Sequence, residues 1–72
     1  MYGMRTHTRQ EVIQAAGGCA HVARRLGIRR QAVYQWIDTG IPARRVLELA
    51  RMAGMRPSEI DPELYPPELE VG

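Results

Sequence analysis

The chain has 72 residues, and its 10 basic and 8 acidic residues leave a formal net charge of +2. One small domain is the most that this length allows, so we expect a limited core and a fold built from local contacts. No apolar run could span a membrane and the N-terminus lacks a signal-peptide core, so we expect a cytoplasmic protein. The single cysteine excludes an internal disulfide.

The charge is divided unevenly along the chain. Residues 1–56 carry ten arginines against three acids, a net +7, whereas residues 57–72 carry five acids, a net −5. A basic body of this kind indicates a polyanionic partner. The sequence therefore predicts a loose N-terminal arm over residues 1–7, a domain over residues 8–60, and an acidic, proline-rich tail over residues 61–72 that is extended or frayed.

Helical periodicity begins after Thr8. Thr8 and Glu11 have the spacing of a capping box, and the apolar residues that follow predict a short first helix, which Gly17 and Gly18 end. A second helix is predicted over residues 19–26. The inward faces of these two helices are predicted to be Val12, Ile13 and Ala16, and then Val22, Ala23 and Leu26.

The second half of the chain predicts three further elements. A third helix is expected over about residues 30–37, followed by a turn over residues 38–40. A fourth is expected over about residues 42–53, because a proline precedes apolar residues spaced at i, i+3, i+4 and i+7, and Gly54 would stop it. Residues 57–60 are predicted to add one more turn. We therefore expect an all-α domain of four to five short helices with no sheet.

The junction between the second and third helices has the spacing of a helix-turn-helix. Two helices that cross through a very short turn need a small residue where their backbones meet, which Ala23 supplies. The turn itself needs a residue that tolerates positive φ, which Gly27 supplies. The predicted structural positions of this motif are Val22, Ala23, Leu26, Gly27, Ile28, Val33 and Trp36.

In a helix-turn-helix the third helix would be a recognition helix whose outward face meets a DNA major groove. Arginine can bridge the O6 and N7 atoms of guanine, glutamine can pair with adenine, and a tyrosine ring can contact a thymine methyl group. The outward residues here are Arg29, Arg30, Gln31, Tyr34 and Gln35. The residues predicted to bind phosphates are Arg24, Arg25, Arg29, Arg44 and Arg45.

Three stretches, GGCAHVARRLGI, QAVYQWIDTGIPARRVLELARMAG and IDPELYP, resemble the small Cro-like repressors, particularly the YdaS-like group of prophage regulators. The resemblance covers residues 17–66 and implies a transcriptional repressor that binds a short double-stranded DNA operator, commonly as a homodimer. It places base reading on Arg30, Gln31, Tyr34 and Gln35.

Two positions depart from the pattern of these repressors. Cys19 stands where a glutamine usually helps to anchor a phosphate, and Arg29 stands where a serine or threonine usually caps the recognition helix. Since an arginine side chain cannot accept an N–H, we expect the start of the third helix to be fully ordered only when it meets a phosphate.

Other functions have less support in the residues. Cys19 and His21 lie on nearly opposite sides of a helix and only one other histidine exists, so no metal site, no other cofactor and no enzyme is predicted. Two alternatives remain open. One is a DNA-binding antitoxin whose acidic tail holds a protein partner, and the other is a helix-turn-helix interaction module that does not bind DNA. Residues that could form an interface or pack within their own chain are Leu47, Met52, Tyr65 and Val71.

Overall fold

The computed structural model describes residues 7–66. They form five helices in chain order: α1 (Arg9–Ala15), α2 (Cys19–Leu26), α3 (Arg30–Thr39), α4 (Ala43–Ala53) and α5 (Pro57–Ile60). No strand occurs between residues 7 and 66, so the predicted all-α class is confirmed. Each helix in this part of the chain is too short or too polar to cross a membrane.

The start of α1 is closed by its own first turn. The Thr8 hydroxyl accepts a hydrogen bond from the Glu11 backbone N–H at 3.1 Å, and the Glu11 carboxylate accepts one from the Thr8 backbone N–H at 2.7 Å. These bonds to Thr8, above all the one from its backbone N–H, hold the pKa of the Glu11 carboxyl below its ordinary value. The capping box predicted from the Thr8–Glu11 spacing is confirmed.

The core is formed by side chains from all five helices. α2 packs against α3, and α1 and α5 pack against α4. The residues buried most completely are Ile13, Leu49, Val12, Val22, Val33 and Val46, and Ile60 brings α5 into the same cluster. The apolar helix faces predicted from helical periodicity are the faces that point into the core. Each helix can therefore bury its apolar side chains in only one orientation.

The end of α3 differs from the prediction. Residues 38 and 39 are helical instead of forming a turn. The Arg9 side chain donates to the Ile37 and Asp38 carbonyls, which stabilises this last turn. The Thr39 hydroxyl donates to the Gln35 carbonyl at 2.8 Å. Gly40, whose φ is 124°, ends the helix. α4 then begins at Ala43, one residue after the predicted start, with Pro42 as its N-cap residue.

The prediction of an extended or frayed tail is wrong for residues 61–65. They form a turn in which the Asp61 side chain accepts a hydrogen bond from the Leu64 N–H at 3.1 Å, and the Asp61 carbonyl accepts one from the Tyr65 N–H at 2.9 Å. The Tyr65 side chain packs against the core. Residues 1–6 and 67–72 lie outside the described part of the chain, so the division into arm, domain and tail stays a prediction.

Candidate nucleic-acid interface

The joint between α2 and α3 is compact and built around one glycine. Gly27 takes left-handed backbone angles, with φ of 69° and ψ of 34°, and the Ile28 N–H donates back to the Ala23 carbonyl at 3.0 Å. A Cβ at Gly27 would meet no atom, so the need for glycine is conformational rather than steric. Only two residues, Ile28 and Arg29, then separate this glycine from α3.

The remaining motif positions lie on the inner side of this joint. Val22, Ala23, Val33 and Trp36 are buried, and Leu26 and Ile28 are half-buried against the same core. The wedge between α2 and α3 is therefore filled, which fixes one face of α3 toward the domain interior.

The opposite face of α3 is open to solvent. Its exposed residues include Arg30, Gln31, Tyr34 and Gln35. Tyr34 is 57% exposed. Arg30 and Gln31 lie one helical turn before Tyr34 and Gln35, so the four side chains form one patch of hydrogen-bonding and apolar groups. The structure thus brings together the four residues predicted to read bases.

Four of the five residues predicted to bind phosphates are exposed: Arg24, Arg25, Arg29 and Arg44. Arg45 differs from them, since it is half-buried and its Nη1 atom donates to the Glu48 carboxylate at 3.1 Å. A surface pair of this kind adds little stability. It does place a negative charge beside Arg45, which makes this residue the weakest of the five candidates.

Four of the five described helices begin without a side-chain cap on their first turn, and α5 differs from the other three only in having Glu59 in that turn. The N-cap residues of α2, α3 and α4 are Gly18, Arg29 and Pro42, and none of them accepts a hydrogen bond from the first turn through its side chain. The backbone N–H groups at such ends suit an anion, which the partial positive charge of the helix also attracts. The missing cap at Arg29 is the departure noted from the sequence.

Cys19 and His21 do not form a ligand set. Cys19 is half-buried at the first position of α2, whereas His21 is exposed and its ring lies over Gly17. Within residues 7–66, no group of three or more histidine, cysteine, aspartate or glutamate side chains could hold a metal ion.

Arg9 has a role that the sequence did not indicate. Its Nη1 atom donates to the carbonyl oxygens of Ile37 at 3.0 Å and Asp38 at 3.1 Å, which ties α1 to the last turn of α3. Its Nε atom is buried with no hydrogen-bond partner among the described residues. Ile37 and Asp38 lie 28 and 29 positions after Arg9 in the sequence. Helical periodicity carries no signal for a contact over such a distance.

The predicted interface residues fall into three groups. Leu47 is 45% exposed on α4, Met52 and Tyr65 pack against the core, and Val71 lies outside the described residues. An open depression of about 210 Å³ lies between α2 and α4. It is lined by Arg25, Leu26, Glu48, Arg51 and Met52.

Comparison with known proteins identifies a family for this chain. The family described as "Bacterial toxin YdaS" matches residues 10–67, most of the chain and nearly all of its helical part. No curated protein and no solved structure matches the chain. The family match confirms the resemblance to the YdaS-like group.

Proposed function

We propose that this chain, which belongs to the YdaS family, is a sequence-specific DNA-binding regulator that reads a major groove with α3. The observation that carries the proposal is the division of α3 into two faces. Val33 and Trp36 hold its inner face in the core, while Arg30, Gln31 and Tyr34 stand exposed on its outer face. These outer residue types can contact guanine, adenine and thymine edges respectively.

The charges around α3 support the same proposal. Arg24 and Arg25 are exposed on the preceding helix, and Arg29 and Arg44 are exposed at the uncapped starts of α3 and α4. In this proposal they bind phosphates and set the register of the protein, while the outer face of α3 supplies sequence discrimination. Phosphate contacts of this number would make binding strongly dependent on salt.

The proposal includes a homodimer on DNA, acting in the bacterial cytoplasm. A helix-turn-helix dimer reads two half-sites whose centres lie about one helical turn apart, so the operator would be two-fold symmetric. The exposed Leu47 is an apolar residue available for such a contact.

The family description names a toxin, which makes growth inhibition a second candidate function. The two functions are compatible if inhibition follows from occupation of a promoter. Expression in bacterial cells separates them: arrest of growth that is lost in Arg30→Ala and kept in Arg56→Ala, which removes an exposed arginine outside the proposed interface, would follow from DNA reading. Arrest that Arg30→Ala leaves intact would favour action on a protein partner. Neither the antitoxin nor the interaction-module alternative has an observation that favours it over DNA binding.

Selection from a random pool of DNA duplexes at near-physiological salt tests the proposed function. We expect enrichment of a two-fold symmetric motif with half-sites about one helical turn apart. Enrichment of a single unsymmetric site would support sequence-specific binding but would show that the protein binds DNA as a monomer, not as a dimer. Salt-sensitive binding without any enriched sequence would contradict the proposal, since the arginines would then attract phosphates without base reading.

A further inference from the structure

We propose that Arg9 is a positioning residue for α3, which holds the C-terminal end of that helix against α1 and thereby sets sequence discrimination. The inference rests on the proposed function for its DNA-binding consequence. Its structural basis is independent of DNA, because it consists of contacts within the chain.

Arg9 donates to backbone carbonyl oxygens that have no hydrogen-bond donor within α3. Ile37 and Asp38 lie in its last turn, where carbonyl oxygens have no intrahelical partner. The Arg9 Nη1 atom donates to both of these oxygens, at 3.0 and 3.1 Å. A guanidinium at this end also meets the negative pole of the helix dipole. The two hydrogen bonds and the helix dipole therefore both stabilise the guanidinium at this end of α3.

The burial of Arg9 separates it from the other arginines of the basic body. Its Nε atom is shielded from solvent, and Arg9 as a whole is only partly exposed. Arg24, Arg25 and Arg29, by contrast, are exposed. Arg9 is therefore committed to α3 and is not available to a phosphate in the way that these three are.

The length of α3 makes its orientation important for base reading. The helix has 10 residues, which corresponds to roughly 15 Å. Without the Arg9 contacts α3 would pivot about its joint with α2, and a tilt of about 10° would displace the Arg9 end by roughly 2.6 Å and residues near the middle of the helix by roughly 1 Å. Tyr34 and Gln35 lie between this joint and the Arg9 contacts, so a loss of alignment would weaken their base contacts.

The test compares three full-length variants with the wild type on two duplexes, the selected sequence and a scrambled version. Arg9→Met removes the donors and keeps an unbranched stem, and Arg9→Lys keeps a charge and donors. Arg56→Met is the control, because it removes the same charge from an exposed residue before α5. The measured quantity is the ratio of the two dissociation constants. Partial unfolding weakens both complexes by the same factor, so it leaves this ratio unchanged.

We expect Arg9→Met to reduce the ratio by about tenfold, as for the loss of a hydrogen bond to a charged group. Arg9→Lys should recover part of that loss, and Arg56→Met should change the ratio by less than about twofold. An unchanged ratio in Arg9→Met, with both complexes weakened equally, would make Arg9 a residue of structural importance only and would overturn the inference.

The failure of the proposed function would be seen separately, as the absence of any enriched sequence for the wild type. In that case residual dipolar couplings of the free protein, which report the orientation of α3 relative to α1, test whether Arg9 orients α3. A changed orientation in Arg9→Met with Arg56→Met unchanged supports the anchor. The same orientation in all variants overturns it.

Discussion

The helix starts in this domain are of two kinds. At α1 and α5 a glutamate of the first turn accepts the backbone N–H that precedes the helix: Glu11 from Thr8, and Glu59 from Arg56, each at 2.7 Å. At α2, α3 and α4 the first turn holds no acidic residue. The first kind is closed by the chain's own carboxylates, whereas the second is open to an external anion. We call α1 and α5 the closed helices and α2, α3 and α4 the open helices.

The closed helices are also joined to each other through Glu59. Its Oε1 atom lies 3.7 Å from the Nε2 atom of His7, the residue before Thr8, while its Oε2 atom accepts the Arg56 N–H. Acidic groups are thus used at the closed helices for contacts within the chain. All five helices contribute to the core; under the proposed function, the open helices would in addition present their starts to the phosphates of DNA.

The largest expected effect comes from breaking the core that both groups of helices share. Leu49→Ala should lower the free energy of unfolding by about 2–5 kcal/mol, because Leu49 is fully buried and its removal leaves a cavity. Leu47→Ala is the matched control on the same helix, since Leu47 is 45% exposed, and should change stability by less than about 0.5 kcal/mol. Urea unfolding measures both. Equal losses would contradict the assignment of the core.

The next effect separates base reading from phosphate binding within the open helices. Arg30→Ala should cost roughly 1–3 kcal/mol at one base pair of the selected sequence, whereas Arg24→Ala should weaken all duplexes alike and reduce the salt slope by about one. Binding to the selected sequence, to single-base variants and at several salt concentrations measures both effects. If both variants bind as the wild type does, α3 is not a DNA-reading helix and an interaction module becomes the better account.

A smaller pair of effects has opposite signs at the two kinds of helix start. Thr8→Ala removes a cap from α1 and should lower the free energy of unfolding by about 1 kcal/mol. Arg29→Ser adds a capping side chain to α3, whose N-cap φ of −77° and ψ of 146° suit it, and should raise stability by up to about 1 kcal/mol. The same change should weaken DNA binding, because it removes an exposed charge. A loss of stability in Arg29→Ser would contradict the view that the start of α3 is open.

The smallest effect is a dependence on pH at the closed start of α1. Because folding lowers the pKa of Glu11, its contribution to stability is present above the ordinary value of 4.5 and is lost as pH falls through the lower folded value. Wild type should therefore be more stable than Glu11→Gln at neutral pH, and this difference should be smaller at an acidic pH below 4.5. Urea midpoints at both pH values measure it. A difference that persists in acid would have a cause other than the ionised carboxylate.

The helices and their joint were predictable because their determinants are local in sequence. Apolar residues at helical spacing placed the core faces of α2 and α4, and Gly27 marked the joint through its tolerance of positive φ. The Thr8–Glu11 spacing marked the start of α1 in the same way. The exposed face of α3 was predictable because Val33 and Trp36 had to be buried, which leaves the opposite face of the helix to solvent.

The remaining features depend on contacts that no local pattern encodes. Threonine is a common turn residue, yet Thr39 continues α3, whose last-turn carbonyls at Ile37 and Asp38 are satisfied by the distant Arg9. Tyr65 lies between Pro62 and Pro66, in an acidic stretch that indicates an exposed tail, yet it packs on the core. The partners of Arg9 on α3 are 28 and 29 positions further along the sequence, and the contact exists only once both helices are packed.

Amide hydrogen exchange, measured residue by residue with and without duplex DNA, tests the division between closed and open helices most directly. The account predicts that residues 30–32 exchange rapidly in the free protein and slow on binding, because a phosphate then occupies the uncapped start of α3. Residues in the first turns of α1 and α5 should exchange at the same rate in both states. Equal protection of residues 30–32 in both states, or slowing confined to α1 and α5, would contradict the account.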